Sequence, residues 1–533
     1  MKKLFFLLIF YTFPCLASID VPHYSEDSIT TLPILYQGRC RPLEAYARSL
    51  LHTFYQRDEF LLSHRQYFEK KRPSAVDWLI DLQTHGHSKW DDFPLFYFEG
   101  NYLSYNSLPK NLEGELLEKK IFYENFPNEQ LHLLPDKKNR QWHTLAITTN
   151  KTAYSDSDFK KLKQTSNFQY KALILQDAYA SLAGRTYLKG QGKSLHYPYF
   201  WQLKLEQVYH AYPWIEISIS LYGLSLLLAL FSKKRFAWFF FITAFLVHTS
   251  LLAIRCFILE RAPVSNMFET VLYVPWICSL IAIIFIPFFK NNLWALIAAC
   301  FANILLQFLL RFYSLTHEME PLQAVLDSHY WLIIHVLMVV GSYGLFILAG
   351  LLSHIWIALD IKSLVFTHRR LKQLLIKARG KTKLYIPPSI PPPKQLQQLI
   401  IQSLYIGTTL LVSGTILGGV WAAESWGRFW DWDPKESWAF ISSCYYLTLI
   451  HAYRYRILSP FFVSVASVFG MLIISFTWYG VNYILGTGLH SYGFGNGGTL
   501  SYSLFILLEL LFLVGMSWLY LYLHKRKKIF SKK

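Results

Sequence analysis

The chemically most distinctive part of this chain is a tryptophan-rich segment between two long apolar runs. Residues 421–438 read WAAESWGRFWDWDPKESW and contain five tryptophans. An indole ring is large and apolar but carries one N–H group that needs a partner, so tryptophan is enriched where lipid meets water. Five indole rings on one short connector therefore predict a broad, flat and mainly apolar surface at a membrane edge. A porphyrin is a ligand of that shape.

Three histidines could supply the nitrogen ligands that a porphyrin iron needs. His335 lies a few residues into an apolar run that starts near Tyr330, and His490 lies in the connector GTGLHSYG, whose glycines would let the backbone approach a flat ligand. His451 follows Trp438 by thirteen residues, which is about 20 Å along a helix. Ionisable residues at such a depth in a membrane are rare and usually functional, so we interpret His451 as a second, deeper ligand position.

Each of these residues also has an ordinary structural interpretation. A lone histidine in a membrane span is often a hydrogen-bonded packing residue, and tryptophans at an interface usually form an aromatic belt. The run Asp433-Pro434-Lys435-Glu436 fits a helix start, with Asp433 as N-cap, Pro434 in the first turn and Glu436 reaching back. The coincidence of several such features on one side of the membrane favours a binding site.

The elements that must position these residues are membrane helices. The chain has 533 residues, is 53% hydrophobic and 17% aromatic, and has a mean hydropathy of +0.24. Apolar runs of about 18 residues or more are long enough to cross a bilayer as helices. The sequence therefore predicts an all-α polytopic membrane protein with about nine transmembrane helices, at residues 214–231, 236–257, 268–289, 293–310, 330–359, 399–420, 438–456, 460–482 and 501–523.

Charge is distributed so as to orient these spans. The net charge is +18, but the basic residues cluster in alternate connectors, as the positive-inside rule expects of cytoplasmic loops, rather than in a nucleic-acid-binding patch. These basic connectors are 233–235, Lys290, 360–394, Arg454 with Arg456, and the tail 524–533; the opposite connectors carry Glu260, Glu318, Glu320, Asp327, Glu424, Asp431, Asp433 and Glu436. The pattern predicts a cytoplasmic C-terminus and an extracytoplasmic tryptophan loop, with His335 and His490 at the same outer level. Two histidines at one level beside an aromatic surface could supply both axial ligands of a haem.

The N-terminal region differs from the rest in composition. Residues 1–18 have a basic start, a short apolar run and small residues at Cys15 and Ala17, as in a signal peptide, with an uncleaved anchor as the alternative. Residues 19–213 are polar and irregularly patterned. We predict that they form one extracytoplasmic soluble domain of mixed, mainly helical structure, followed by a transmembrane domain at 214–523.

The six cysteines exclude two classes of protein. No two of them form a CxxC pair, and no CxxCH haem-attachment site is present. The sequence therefore predicts neither a thiol oxidoreductase nor a c-type cytochrome.

The tryptophan segment also carries a resemblance to a known family. Residues 426–433, WGRFWDWD, match the WGxxWxWD signature of the haem-handling superfamily of cytochrome c biogenesis proteins. The segments LDSHYWLIIHV, TLIHAYR, GVNYILGTGLHSYG and RCFILERAPVSNMFET resemble the CcsA/ResC branch, known as System II. The resemblance covers about residues 245–500. Upstream, LPILYQGRCRPLEAYAR is similar to a segment of some longer or fused members.

The resemblance implies roles for particular residues. His335 and His490 would be the outer axial ligands of a protohaem (haem b) iron, and His451 would belong to a transmembrane haem position. The second deep ligand would come from a CcsB/ResB-like membrane subunit; His248, in mid-span, is an alternative that no motif supports. The residues of the loop that would cradle the haem are Trp426, Gly427, Trp430, Trp432 and Asp433. Arg428 and Lys435 are candidate contacts for the haem propionates, and no residue is assigned as an acid or a base.

The implied function is haem delivery across a bacterial cytoplasmic (inner) membrane and covalent haem attachment to the CxxCH motif of apocytochrome c. In that case the chain would be the haem-binding subunit of a holocytochrome c synthase, a thioether-forming lyase. One alternative is a haem exporter or presenting module without catalysis. Another is a b-type cytochrome of a quinol-linked electron-transfer chain, in which paired histidines usually lie within the bilayer rather than at its outer edge. Nucleic acid is not an expected partner.

Overall fold

Long helices make up most of the described chain. In this computed structural model, the described residues are most of 33–125, 200–312, 329–378, 392–485 and 499–532, together with three short strands between 131 and 175. The predicted signal peptide and His490 lie outside the described residues. Residues up to Tyr212 form one compact unit, and those from Pro213 onward, apart from 318–321, form another.

The N-terminal unit mixes strands and helices. Its strands are β1 Pro33–Tyr36, β2 Arg39–Pro42, β3 Phe96–Phe98, β4 Asn101–Leu103, β5 Leu131–Leu133, β6 His143–Leu145 and β7 Leu173–Leu175; its helices are α1 Leu43–Tyr55, α2 Ala75–His85, α3 Glu115–Asn125 and α4 Phe200–Ala211. One sheet has the order β2-β1-β7-β5-β6, in which only β1 and β7 pair in parallel, and β3 and β4 form a separate hairpin.

An aromatic core holds α1 and α2 together. Phe54 packs edge-on against Trp78, Phe96 and Tyr123, and all four side chains are fully buried. Beside them the Tyr55 hydroxyl lies 2.6 Å from Nδ1 of His64. Burial lowers the pKa of His64, so this ring is held as a neutral packing group.

Nine helical segments of the second unit coincide with the nine apolar runs. They are α5 Trp214–Leu230, α6 Lys234–Leu259, α7 Met267–Ile284, α8 Leu293–Phe312, α9 Leu337–Ala378, α10 Lys394–Trp426, α11 Pro434–Arg454, α12 Pro460–Ser475 and α13 Thr499–Lys532. A short helix, His329–Trp331, and a π-helical turn, Leu332–Val336 (π1), lead into α9, and a longer π-helical segment, Phe476–Leu485 (π2), continues α12.

The described helices confirm an all-α polytopic membrane protein, with a smaller number of clear spans than predicted. Seven are long and apolar enough to cross a membrane by themselves, and α5 reaches that threshold only when taken with α4. The remaining helix, α11, is more polar because serine, tyrosine and histidine side chains occupy much of its length. By length and composition the described residues thus contain seven or eight spans, against about nine predicted.

Helix α9 is the centre of the bundle, and glycines let its neighbours approach closely. It packs against α7, α8, α10, α12 and α13. A Cβ added at Gly344 would lie 2.7 Å from the Val274 carbonyl oxygen, and one at Gly350 would lie 2.7 Å from Sδ of Met471. Close backbone approach is the usual way in which membrane helices gain packing contacts, because lipid supplies no hydrophobic driving force between them.

A buried ion pair joins α6 to the start of α7. Arg255 lies 2.8 Å from Glu269, and both side chains are fully buried. Glu269 also accepts hydrogen bonds from the backbone N–H and the hydroxyl of Ser265, and the Asn266 side chain caps α7. These contacts fix the RCFILERAPVSNMFET segment at one end of the bundle.

Candidate functional site

His335 lies in the π-helical turn π1, and its ring orientation is set by the neighbouring helix. Its Nδ1 is 2.7 Å from the carbonyl oxygen of Gly414 on α10. A carbonyl oxygen can only accept, so Nδ1 carries the hydrogen and Nε2 keeps the lone pair. This is the tautomer that binds a metal through Nε2, held as metal-binding histidines usually are by a hydrogen bond from the other nitrogen.

Glycine makes room for this ring. A Cβ added at Gly418 would lie 2.5 Å from Cε1 of His335, so any larger residue would displace the imidazole. On another side the ring meets Trp421 edge-on, with centroids 5.8 Å apart. Single π-turns inside α-helices are frequently found at functional sites, because the extra residue re-aims a side chain.

A hydrogen bond ties this turn to the end of α10. The indole N–H of Trp331 donates to the Glu424 carboxylate at 2.6 Å. Trp331 and Trp421 are both buried and form a small cluster with Val336 and Leu417. The turn that carries His335 is therefore fastened to the helix that begins the tryptophan loop.

Helix α10 ends at a glycine in the left-handed conformation, and α11 begins with an N-cap. Gly427 has φ +71° and donates its N–H to the Ala423 carbonyl, a helix-ending conformation that glycine adopts without strain. Asp433 accepts from the Glu436 backbone N–H at 2.9 Å, and Glu436 accepts from the Asp431 N–H at 2.7 Å. The helix-start interpretation of Asp433 is thus confirmed.

Four aromatic side chains form an apolar surface beyond this cap. Trp430 and Trp432 meet edge-on at 5.8 Å, and both lie edge-on to Phe440. Trp432 is 67% exposed, and its φ of +58° is unusual for a bulky residue. Phe429 packs on Gly419. We call Phe429, Trp430, Trp432 and Phe440 the aromatic surface. The Nε1 of Trp430 is buried without a hydrogen-bond partner among the described residues.

The two basic residues of the loop are in different situations. Arg428 lies 3.0 Å from Asp431 and 3.9 Å from Glu436, with its guanidinium over the Trp426 ring. Its charge is therefore balanced within the loop. Lys435 is half-buried, and loss of hydration lowers its pKa to about 8, an effect that Asp433 partly offsets.

His451 lies far from His335. Phe346 of α9 stacks on Tyr446 of α11 at 3.6 Å, so these two residues share one level of the bundle. His335 is eleven residues from that level on one side and His451 is five residues from it on the other, which separates the two rings along the bundle by about 24 Å. A single metal could therefore not be bound by both rings.

The His451 side chain is exposed on the surface of α11. Its Nδ1 is 2.7 Å from the Leu447 carbonyl, so Nε2 again keeps the lone pair. His248 is the opposite case. It is fully buried on α6, its Nδ1 contacts Asn303 at 3.1 Å, and Gln307 lies beside it. Its surroundings are those of a packing residue inside the group α5–α8.

The segment that leads toward His490 is anchored on two helices, although His490 itself lies outside the described residues. Within π2 the indole N–H of Trp478 donates to Thr270 at 3.0 Å, and the Thr477 and Ser442 hydroxyls are 2.8 Å apart. Phe476 packs on Trp438 with centroids 4.4 Å apart. π2 thus connects the start of α7 to the helix that follows the tryptophan loop.

Several of these positioning residues were missed from the sequence. The roles of Gly414, Gly418, Glu424 and Thr270 arise from contacts between helices distant in the chain. A weak signal existed for two of them: the Gly418-Gly419 pair interrupts an otherwise bulky helix, and Glu424 is an acid at the end of an apolar run.

Comparison with known proteins gives a consistent result. A family described as "Cytochrome C assembly protein" matches residues 264–490. The chain is 36% identical over 256 residues to protein NrfI of Wolinella succinogenes, a match that covers 47% of this chain and 25% of NrfI. It is 35% identical over 273 residues to the cytochrome c biogenesis protein CcsA of Solanum bulbocastanum and 33% identical over 263 residues to that of Nymphaea alba, covering 47% of this chain and 83% and 84% of those proteins.

Proposed function

This chain belongs to the CcsA family of cytochrome c biogenesis proteins, and from that premise we propose that it binds haem at the tryptophan loop and presents it for attachment to apocytochrome c. The observation that carries the proposal is the hydrogen bond from His335 to Gly414, which gives the ring the tautomer in which Nε2 could bind a metal. A role in cytochrome c assembly follows from the family; the site and the chemistry are our proposal.

The residues around His335 suit a porphyrin. The aromatic surface offers exposed ring faces and edges to a flat apolar ligand, and the buried Nε1 of Trp430 offers a donor that has no other partner among the described residues. We propose Trp426, Gly427, Trp430, Trp432 and Asp433 as the haem-binding loop, with Asp433 shaping the loop through its N-cap.

The second axial ligand in this proposal is His490. The described chain reaches Leu485, five residues earlier, and five residues span at most about 17 Å. What supports His490 is that π2, the segment before it, is held by Thr270 and Ser442 and begins with Phe476 packed on Trp438, next to the tryptophan loop. A ligand pair from two separate helix ends would hold the iron while leaving the porphyrin edge accessible.

The reaction we propose is thioether formation between the haem vinyl groups and the two thiols of a CxxCH motif. Each thioether forms by net addition of S–H across a vinyl C=C bond: the sulfur bonds to one carbon and the proton ends on the other, so no oxidant is consumed. This chain would contribute binding, orientation and exclusion of water by the aromatic surface, and proximity would supply most of the rate advantage. No acid or base residue is assigned.

Of the two candidate propionate contacts, we favour Lys435. Arg428 already faces Asp431 and Glu436, so a propionate there would have to compete with two carboxylates. Lys435 is partly dehydrated, and an added carboxylate nearby would favour its charged form.

His451 fits a second haem position that needs another subunit. Its ring lies on the exposed face of α11, with Nε2 available at the surface of the described structure. A ligand on a CcsB/ResB-like membrane partner could complete this position. His248 could not readily do so, because it is enclosed with Asn303 and Gln307.

The membrane setting completes the proposal. We propose a bacterial cytoplasmic membrane, with residues 19–213 and the tryptophan loop outside and the basic tail 524–533 inside, on the strength of the charge distribution between the spans. Haem delivery to the loop from the cytoplasmic side would then pass the level of His451.

Coexpression with a c-type apocytochrome reporter and a CcsB-like partner tests this function. Replacing His335 by Ala should lower both the haem content of the purified complex and the yield of covalently haem-bound cytochrome. Loss of cytochrome yield with normal haem content would favour another ligand, and retention of both would overturn the proposal. If this chain binds haem normally but the partner alone carries out attachment, the presenting-module function replaces catalysis.

A further inference from the structure

Helices α9 and α13 are joined inside the membrane-spanning region by a histidine and a carboxylate. Nε2 of His354 lies 3.0 Å from Oε2 of Glu509, and Nδ1 of His354 lies 2.9 Å from the Gly350 carbonyl. The imidazole also stacks on Phe512, with centroids 5.0 Å apart and planes 27° apart. Both side chains are mostly buried, with 25% and 20% of their surfaces exposed.

The hydrogen-bond geometry requires one proton between these two groups. The Gly350 carbonyl can only accept, so Nδ1 of His354 carries a hydrogen. A neutral ring then presents the Nε2 lone pair to the Glu509 oxygen, which is itself an acceptor when ionised. A contact of 3.0 Å forms only if one proton lies between Nε2 and Oε2, whether it is formally on the imidazole or on the carboxyl group.

The surroundings make loss of that proton costly. His354 lies 21 residues from the start and 15 from the end of the span Ile333–Arg369, and Glu509 lies 10 residues into Thr499–Arg526. Glu509 is the only acidic residue in α13. Without the proton, a lone pair and a carboxylate would face each other in an apolar medium, and the charge would lack a compensating partner.

Helix α13 is only lightly packed against the rest of the bundle. Only 6% of its most apolar 18-residue window is buried, the lowest share among the candidate spans of the described chain. Its other polar contacts in the described residues lie toward its two ends and are with residues of α12 or the residue before it: the Tyr502 and Ser475 hydroxyls are 3.0 Å apart, and Tyr520 is hydrogen-bonded to Ser459 and stacks on Phe461. None of these contacts is with α9, so breaking the His354–Glu509 contact would let the middle of α13 move away from α9 while its ends keep their contacts with α12.

Other titratable groups lie away from this contact. On α9 the titratable residue nearest to His354 is Asp360, about 9 Å away along the helix axis. On α13 the one nearest to Glu509 is Tyr502, about 10 Å away. α12 carries no titratable residue. On the remaining helices packed against α9 no described hydrogen bond or ion pair joins such a group to His354 or Glu509. Those groups are Glu269, Tyr273, Cys278, Cys300, Arg311, Lys394, Tyr405 and Glu424.

We propose that His354 and Glu509 form an intramembrane proton-binding site whose occupancy determines whether α13 stays packed against α9. The ligand of the site is a single proton. The proposal is independent of haem binding at the tryptophan loop, since it involves other residues and a different helix pair.

Distance measurements between spin labels on the full chain in lipid nanodiscs test it. Labels would be placed at Ala358 and Val514, both exposed and about one turn beyond the contact, after native cysteines that react, such as exposed Cys444, are replaced by serine. At low pH we expect one short distance. As the pH rises, a second, longer distance should appear and grow.

Two variants separate proton binding from a fixed tether. In Glu509→Gln the side-chain amide can donate to Nε2 of His354 without titrating, so the short distance should persist at every pH. In Glu509→Leu the contact is lost, so the longer distance should be present at every pH. Tyr502→Phe, which removes one of the polar contacts with α12, should keep the pH dependence of the parent. A parent distance that does not change with pH, or a Glu509→Gln protein that still responds to pH, would overturn the proposal.

Discussion

His335 donates its Nδ1 hydrogen to the Gly414 carbonyl across 2.7 Å, although 79 residues separate the two in the chain. One bond therefore fixes both the ring orientation and the tautomer, and it links the turn before α9 to the helix that leads into the tryptophan loop. Because α10 supplies the acceptor and also the glycines beneath the ring, changes on α10 should alter the site without touching a ligand.

Gly418 tests this dependence on α10. Its replacement by Ala would place a Cβ 2.5 Å from the His335 ring, so the imidazole must move. We expect the haem content of purified Gly418→Ala protein to fall several-fold while its yield stays near that of the parent. Gly515→Ala on α13 is the matched control, because its Cβ would meet no atom within 4 Å. Equal haem content in the two variants would contradict the close packing of His335 on α10.

The Trp331–Glu424 hydrogen bond should position the turn that carries His335. Trp331→Phe removes the indole donor from the exposed Glu424 carboxylate, where water can replace it, so only the net contribution of one hydrogen bond is lost, about 0.5–1.5 kcal/mol. We expect weaker haem retention during purification and a broadened haem absorption band. Glu424→Gln keeps an acceptor for the indole, so its haem retention should be close to that of the parent. If Glu424→Gln retains haem as weakly as Trp331→Phe, the carboxylate acts in some other way.

The buried Arg255–Glu269 pair should matter for stability rather than for haem. Arg255→Met leaves the fully buried Glu269 carboxylate without its main counter-charge, and breaking such a pair typically costs about 3–5 kcal/mol. Denaturant titration of the purified protein should show this loss. The double variant Arg255→Met/Glu269→Leu, in which no charge is left buried, should recover much of it. If the Arg255→Met protein is as stable as the parent, the ion pair between Arg255 and Glu269 does not form in the membrane.

If Lys435 belongs to the proposed haem site, haem binding should depend on pH with a definite sign. Its pKa is lowered to about 8 by loss of hydration, so the ammonium is charged below that pH and neutral above it. If Lys435 pairs with a propionate, haem affinity should fall as the pH rises through about 8. Haem titrations across pH 6–10 would show this, and Lys435→Met should lower the affinity below pH 8 and remove the dependence. An unchanged profile in that variant would exclude the propionate contact.

Local patterns predicted much of the architecture. The apolar runs predicted helices because each must satisfy its own backbone in lipid, and the start of α11 at Asp433 and Pro434 followed from N-cap chemistry that depends on only four residues. The tryptophan loop was also located from sequence, since its composition is unlike that of a lipid-facing span.

Contacts between distant segments were not predictable in the same way. The bonds of Trp331 with Glu424 and of His354 with Glu509 join residues 93 and 155 positions apart, and nothing in either segment indicates its partner. The π-helical turn at Leu332–Val336 looks like ordinary helix in sequence because its apolar residues suit both forms. In the N-terminal unit the parallel pairing of β1 with β7 brings together strands separated by more than a hundred residues.

The most direct test of the central claim is the haem spectrum of purified protein in which the His335 side chain is removed and replaced by free imidazole. If Nε2 of His335 binds the iron, His335→Ala should lose its low-spin bis-histidine spectrum, and added imidazole should restore that spectrum and the haem content. A His335→Ala protein that keeps the parental spectrum and haem content without imidazole would contradict the account.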